Sequence, residues 1–179
     1  MLKFGRALMF VLGTVLLVSA AYAAKPEDVF KGQIIITDSR LPTHFASGGA
    51  FIQAVRHASI DKVWPIEEKG NDHAVRKLEY IAFFARPLND NELTVKFWEV
   101  GGGSQHYVAG DEQYMRERGS RIFSASITVA KPEFDTNKQY LMTLESGSHV
   151  LAQTRFWLRG KGPKYSGKVE FSDEEARQR

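Results

Sequence analysis

Apolar and polar residues alternate with the two-residue period of a β-strand along most of this chain. The alternation is clearest in residues 77–100, where a polar turn containing Pro87 and Asn89 lies between two alternating segments. One face of each segment is apolar, formed by Leu78, Tyr80, Ala82 and Phe84 in the first and by Leu93, Val95 and Phe97 in the second. This pattern predicts two strands joined in a β-hairpin.

Shorter segments that either alternate or are rich in β-branched residues precede and follow the predicted hairpin, and residues typical of turns separate them. They cover residues 33–37, 60–66, 105–109, 121–129, 140–144, 150–158 and 165–171. Eight or nine short strands at this spacing predict an all-β sandwich or barrel. Since no long helical segments alternate with the strands, a parallel α/β sheet is not expected.

Proline and charged residues limit where some of these segments can lie. A proline in residues 60–66 removes a backbone donor, so this segment is predicted to be an edge strand. The charged residues 111–119 are predicted to connect two strands. Further along, Phe156 and Leu158 are predicted to face the core together with Val150.

One segment has the period of a helix. Phe51, Ile52 and Val55 recur at helical spacing, and Ser47 precedes them in the position of an N-cap. A helix this short needs tertiary packing to persist. It is therefore predicted to lie on a sheet or to cover one end of it.

A polar turn at residues 135–139 leads to Tyr140 at the start of a predicted strand. This arrangement is similar to the tyrosine corner of immunoglobulin-like folds. Over residues 78–158 the order of predicted strands resembles the immunoglobulin-like β-sandwich modules of bacterial exported proteins. The resemblance implies a mostly-β, antiparallel, immunoglobulin-like sandwich with one short N-terminal helix. Residues 40–76 have no counterpart in that pattern.

The first 23 residues have the layout of a secretory signal peptide. Lys3 and Arg6 form a basic start, residues 7–20 form an apolar run, and residues 21–23 read Ala-Tyr-Ala. The apolar run is shorter than the roughly 20 residues of a membrane-spanning helix. The alternative is an N-terminal anchor that is not cleaved.

A cleaved signal peptide predicts that the chain is exported. The length of the mature chain predicts a single domain. The predicted divisions are a signal peptide at residues 1–23, a β-sandwich domain with an N-terminal extension at 24–171, and a charged C-terminal tail at 172–179. The mature length fits one domain of roughly 100–200 residues. No transmembrane segment is predicted in the mature chain, because no second apolar run is long enough.

Charge and cysteine content narrow the class of partner and compartment. The full chain has 24 basic and 21 acidic residues, and the predicted signal peptide contains two of the basic ones. The mature chain is then almost neutral, so no nucleic-acid partner is predicted. The chain has no cysteine. A secreted eukaryotic domain of this size often carries disulfides, so a bacterial periplasmic or extracellular location is favoured.

Two tryptophans lie off the predicted core faces. Trp98 is on the opposite face of its strand from the apolar residues, beside Lys96. Trp157 is on the opposite face of its strand from Phe156, with Arg155 and Arg159. If both strands belong to one sheet, these five residues share its outer face. Tryptophan and arginine are enriched in interface hot spots, so this face is predicted to bind a ligand or partner.

The alternative is that the predicted helix covers this face, with Phe51, Ile52 and Val55 packed on Trp98 or Trp157. Ile81 and Phe83 also lie off the apolar face of their strand and need cover of their own. Trp64 precedes a proline and is assigned to local packing.

The sequence contains no recognisable catalytic or cofactor motif. The five histidines lack metal-ligand spacing, and neither a nucleophile elbow nor a phosphate-binding loop is present. Carboxylates on predicted strands are Glu79, Glu92, Glu99 and Glu145, and none has a second carboxylate placed beside it. No catalytic residue, metal site or cofactor is predicted.

These observations favour an exported, non-enzymatic binding or assembly module of the cell envelope. Its partner is predicted to be a protein or an envelope polysaccharide, and the oligomeric state is not predicted. The alternative is a carbohydrate-binding module or a small carbohydrate-active enzyme that uses the same tryptophans as a platform for sugar rings.

Overall fold

The computed structural model describes residues 24–64 and 75–160. The predicted signal peptide, the strand predicted at residues 165–171 and the charged tail lie outside them. Within the described residues the chain forms helices α1 (Pro26–Val29) and α2 (Gly48–Ala58) and eight strands. The strands are β1 (Ile34–Thr37), β2 (Lys62–Val63), β3 (Val75–Phe83), β4 (Glu92–Gly101), β5 (Ser104–Tyr114), β6 (Ile122–Ala130), β7 (Lys138–Ser146) and β8 (His149–Leu158). No helix in this part of the chain is long and apolar enough to cross a membrane.

The strands form two sheets, which confirms the prediction of a mostly-β chain. One sheet has three strands in the order β1-β3-β6, and the other has five in the order β2-β8-β7-β4-β5. Neighbouring strands are antiparallel, except that β2 and β8 are parallel. β2 lies at an edge of its sheet, as the proline in residues 60–66 predicts.

The β-hairpin predicted for residues 77–100 is wrong, although both of its strands form. β3 pairs with β1 and β6, whereas β4 pairs with β5 and β7. Residues 84–91 therefore connect the two sheets. A connection of this length exceeds the two to five residues of most hairpin loops, and it spans the distance of about 10 Å between packed sheets.

The main core lies between the two sheets and is formed by the apolar faces that the alternation predicts. Both predicted apolar faces are buried, including Tyr80 on β3 and Phe97 on β4. The ring of Phe97 makes edge-on contacts with Phe134 and Phe156, at centroid distances of 5.1 and 6.3 Å. The pleat of each strand thus decides which side chains enter the core.

Two strand details differ from the sequence predictions. β5 continues to Tyr114, so the charged connection predicted at residues 111–119 is wrong over its first part. Charged residues are tolerated there because β5 is an edge strand and mostly exposed.

Val150 does not face the core and is 53% exposed. A register shift between Leu144 and Glu145 adds one residue to β8 and turns Val150 to the outer face.

The helix predicted from the spacing of apolar residues forms as α2. Ser47 is its N-cap, and the Ser47 hydroxyl oxygen accepts a hydrogen bond of 3.1 Å from the backbone N–H of Ala50. The prediction of one N-terminal helix is incomplete, because the four-residue helix α1 precedes it. Phe30 follows α1 and is buried in contact with Phe83, with ring centroids 4.9 Å apart.

α2 covers the outer face of the three-stranded sheet. Ile52 and Val55 are buried against Ile81 and Phe83, the two β3 residues that lie off the core face. A second apolar cluster therefore forms on the far side of this sheet, and both faces of β3 are buried.

Candidate functional site

The candidate site is the outer face of the five-stranded sheet, which is the face opposite the main core. Its side chains form rows that cross neighbouring strands. One row contains Tyr107, Trp98, Leu141 and Arg155, and the next contains Val100, Gln139, Trp157 and Lys62. Trp98 and Trp157 therefore lie in adjacent rows two strands apart, with about 12 Å between their Cα atoms from standard sheet spacings.

We call this surface the aromatic face and define it by Tyr107, Trp98, Trp157, Arg155 and Arg159. It contains four of the five residues predicted as binding residues. The condition for that prediction was that β4 and β8 belong to one sheet, and they do, with β7 between them.

Tyr107 extends the aromatic face onto the edge strand β5. Its ring lies edge-on to Trp98, with the ring centroids 5.4 Å apart and an angle of 73° between planes. Gly110 makes room for this ring, because a Cβ at Gly110 would lie 2.7 Å from the Tyr107 hydroxyl oxygen. Tyr107 is 57% exposed, so the pair presents an accessible aromatic surface.

Trp157 lies under a cationic side chain. The guanidinium carbon of Arg159 is 4.4 Å from the centroid of the Trp157 ring, in cation–π geometry. Lys62 on β2 is the strand neighbour of Trp157 on the other side. Among the described residues, none of Lys62, Arg155 and Arg159 forms an ion pair with a carboxylate. This end of the aromatic face is therefore cationic.

Lys96 has a structural partner at the other end of the face. Its ammonium nitrogen is 2.5 Å from a carboxylate oxygen of Glu145, and the other oxygen of Glu145 accepts a 3.0 Å hydrogen bond from Thr143. Glu145 and Thr143 are buried on the outer face of the central strand β7. Lys96 thus neutralises a buried carboxylate, and we assign it no free charge for a ligand.

The other strand carboxylates are also engaged with lysines or lie on exposed edges. Glu79 is 3.0 Å from Lys77, and Glu99 is 2.6 Å from Lys138. The hydrogen bond and charge of Glu99 raise the pKa of Lys138 above its ordinary value. Within the part of the chain that the structure describes, no group of three histidine, aspartate or glutamate side chains is arranged to hold a metal ion.

The helix α2 does not lie over the aromatic face. It packs on the outer face of the other sheet, against β1 and β3. The alternative of a helix covering the tryptophans is therefore wrong, and the described residues leave both tryptophans partly exposed.

The sequence prediction lacked one aromatic residue of the aromatic face, Tyr107. The orientation of Tyr107 depends on a register shift in the β4–β5 pair between Phe97 and Trp98, and the alternation of residue types does not reveal that shift. Trp64 follows the two-residue strand β2 and is 57% exposed, and the proline after it lies outside the described residues.

No known protein-family profile matches this sequence, and no curated protein matches it.

Proposed function

We propose that this chain is an exported, non-enzymatic binding or assembly module of the cell envelope that docks a protein partner on its aromatic face. The observation that carries the proposal is that Tyr107, Trp98 and Trp157 lie with two arginines on one sheet face, which the described residues leave partly exposed. Tyrosine, tryptophan and arginine are the residue types that dominate interface hot spots. The layout of the first 23 residues supports export to the periplasm or the exterior.

The strand order supports an immunoglobulin-like sandwich as the finer description of the fold. In that fold strands C, F and G are neighbours in one sheet and A, B and E belong to the other, which corresponds to β4-β7-β8 and β1-β3-β6. A tyrosine corner at the start of β7 also supports it. The Tyr140 hydroxyl donates a 2.9 Å hydrogen bond to the backbone carbonyl of Asp135, five residues upstream.

Charge on the aromatic face favours a partner with acidic groups beside an apolar patch. Arg155 and Arg159 have no carboxylate partner among the described residues, whereas Lys96 is neutralised by Glu145. An acidic partner group would gain a charge-assisted hydrogen bond from an arginine that is held on a rigid strand. The aromatic rings beside it supply apolar contact area with little loss of side-chain entropy.

A carbohydrate ligand is the second candidate, since the same rings are partly exposed. Sugar rings stack on an open aromatic face. Arg159 lies over the ring of Trp157, so stacking of a sugar on that ring requires the arginine side chain to move. This occupancy of the Trp157 ring favours the protein partner over the sugar.

The proposal is tested by site-specific photo-cross-linking of the full chain in its own cells. A photoreactive amino acid replaces Gln153, an exposed residue on the outer face of β8, and in a matched variant it replaces Gln53, which is exposed on α2. We expect a protein adduct of one defined mass from position 153 and none from position 53. Adding Trp98→Ala to the first variant should lower the adduct yield roughly tenfold or more.

Three outcomes would contradict this proposal. One is equal labelling from both positions, and another is no protein adduct from position 153. If quenching of tryptophan fluorescence by envelope oligosaccharides accompanies the second outcome, the carbohydrate module is favoured. The third is loss of cooperative thermal unfolding in Trp98→Ala, which would make Trp98 a structural residue.

A further inference from the structure

A second candidate surface is the edge of β6 beside which no described strand lies. β6 is the last strand of the three-stranded sheet and pairs only with β3 among the described strands. Its nine residues contain neither a charged side chain nor a proline. Exposed edge strands in natural proteins usually carry charge, proline or a bulge that prevents strand pairing, so an edge without them is suited to accept another strand.

The backbone hydrogen bonds define which groups of β6 point away from its sheet. The N–H of Phe84 donates to the carbonyl of Arg121 at 2.8 Å. The backbone N–H and carbonyl of residue 121 therefore point towards β3, and those of residue 122 point away from it. The hydroxyl of Ser120 confirms this direction. It donates to the Ile122 carbonyl at 2.8 Å and accepts from the Ile122 N–H at 3.1 Å, and so it caps both outward groups of Ile122.

At the other end of β6, the outward backbone carbonyl also has a hydrogen-bond partner within the chain. The carbonyl of Ala130, which also points outward, accepts a 3.1 Å hydrogen bond from the N–H of Phe134. Between these two ends, Ser124, Ser126 and Thr128 direct their N–H and carbonyl groups outward by the same alternation. Within residues 24–64 and 75–160 no backbone group pairs with them. Six backbone groups are thus available in the geometry of a strand.

The inner surface of β4 and β5, in the opposite sheet, lies beneath this edge, and we call it the shelf. The inner surface of β4 and β5 and the edge of β6 line a common groove, whose residues are Phe97, Ala109, Gly110, Asp111, Ser126, Ile127, Thr128 and Phe134. The five-stranded sheet is the wider one, and β5 is mostly exposed because it projects beyond β6. A strand added beside β6 would lie about 4.8 Å from it, the usual spacing between neighbouring strands.

This shelf excludes a second copy of the sandwich from the edge. Two copies paired through β6 across a two-fold axis would place the projecting β5 of each in the space that β4 and β5 of the other occupy. A single extended segment has no second sheet and avoids this overlap. The geometry therefore selects a lone strand as the occupant.

We propose that the β6 edge binds one extended segment of a partner polypeptide, which adds a fourth strand to the three-stranded sheet. The segment has no proline where it pairs, and it carries a lysine or arginine near its middle. Asp111 selects that cation, because it is the one charged residue among those lining the groove, and its hydrogen bond in the described residues comes from the neutral Gln113. This site is separate from the aromatic face and can fail independently of it.

The test selects peptides from a phage-displayed library of random linear 12-residue sequences on the purified mature protein. Enriched peptides are then synthesised and titrated against three proteins: wild type, Ser126→Pro and Ser126→Ala. Proline removes the outward N–H of residue 126 and leaves the ladder to β3 intact, whereas alanine keeps the backbone unchanged. We expect Ser126→Pro to weaken binding about tenfold or more and Ser126→Ala to change it less than twofold. Asp111→Asn should weaken binding of the lysine- or arginine-bearing peptides several-fold.

A modified peptide keeps the test decisive if Ser126→Pro does not fold. Two forms of the peptide are made, one N-methylated at its odd-numbered backbone amides and the other at its even-numbered ones. One form should lose binding and the other should keep it, because only one of the two sets of peptide amides faces β6. Enrichment of no peptide above an unrelated protein, or equal binding by both methylated forms, overturns the proposal. Slow hydrogen exchange of the Ser124, Ser126 and Thr128 amides in the free full chain also overturns it, since the edge would then be filled already.

Discussion

Two buried tyrosines on facing sheets differ in what their hydroxyl groups contact. The hydroxyl of Tyr140 donates to the Asp135 carbonyl, whereas that of Tyr80 has no partner among the described residues. Burial raises the pKa of Tyr140 to about 12, and the charge of Glu99 adds to this effect. Burial raises the pKa of Tyr80 as well, with a contribution from Asp111. Both residues are therefore protonated in the fold at pH values where an exposed tyrosine ionises.

Replacing Tyr80 with phenylalanine should leave stability at pH 7 unchanged or raise it by up to about 1 kcal/mol, because the change removes an unpaired buried hydroxyl. The larger effect is expected at alkaline pH. Unfolded tyrosine ionises near pH 10, so each tyrosine with a raised pKa lowers the free energy of unfolding by about 1.4 kcal/mol per pH unit above that value. Wild type loses the contributions of both tyrosines as the pH rises above about 10, and the slope for Tyr80→Phe should be shallower by about 1.4 kcal/mol per pH unit.

Urea unfolding of both proteins at pH 7 and at several values between 9 and 11 measures this difference. Lysine titration contributes to both curves and cancels in their difference. Equal slopes for the two proteins, or a cost above 1 kcal/mol at pH 7, would show that the Tyr80 hydroxyl has a partner in solution.

At the residue scale, alternation predicts the buried faces but fails where a strand carries an extra residue. Leu93, Val95 and Phe97 face the core as expected. Val150 and Tyr107 lie next to register shifts, and each shift inverts the side to which the following residues point. Such a shift depends on how two strands are paired, so the sequence of either strand alone does not contain it.

At the scale of elements, the sequence predicts where strands lie but not which strands pair. β3 and β4 form within the predicted segment and then enter different sheets. Alternation is a local property, whereas pairing depends on tertiary packing. The length of residues 84–91 was the available signal, since eight residues are more than a tight hairpin requires. The N-cap of α2 is also local, and the sequence predicts it correctly.

The second cluster gives a prediction for α2 itself. Val55 is fully buried between α2 and the outer face of β3. Removing two methyl groups there should lower the free energy of unfolding by about 2 kcal/mol, from lost burial and the cavity left behind. Gln53→Ala on the exposed side of the same helix should change it by less than about 0.5 kcal/mol.

Chemical unfolding of Val55→Ala and Gln53→Ala, monitored by circular dichroism, makes this comparison. Similar small effects of both changes would mean that α2 does not dock on the three-stranded sheet in solution.

At the scale of the whole molecule, the outer faces of the two sheets are covered differently. α2 buries one of them, while the described residues leave the aromatic face partly open. The sequence contained the residue types of both surfaces, but it did not show which of the two the helix would cover. That choice rests on the position of α2 between β1 and β2, strands that lie in different sheets. Four of the five residues of the aromatic face were thus predictable from the sequence, whereas Tyr107 and the exposure of the face were not.

This arrangement makes Val55 and Trp98 energetically independent, since they lie on opposite outer faces and share no partner among the described residues. Val55→Ala and Trp98→Ala should each lower the free energy of unfolding, by about 2 and roughly 1–2 kcal/mol. In the double variant the two losses should add within about 0.5 kcal/mol. Binding to the cross-linked partner should fall with Trp98→Ala and stay unchanged with Val55→Ala at temperatures where both are folded. A coupling above 1 kcal/mol in the double-mutant cycle would place α2 over Trp98, and the partner surface would then have to lie elsewhere on the molecule.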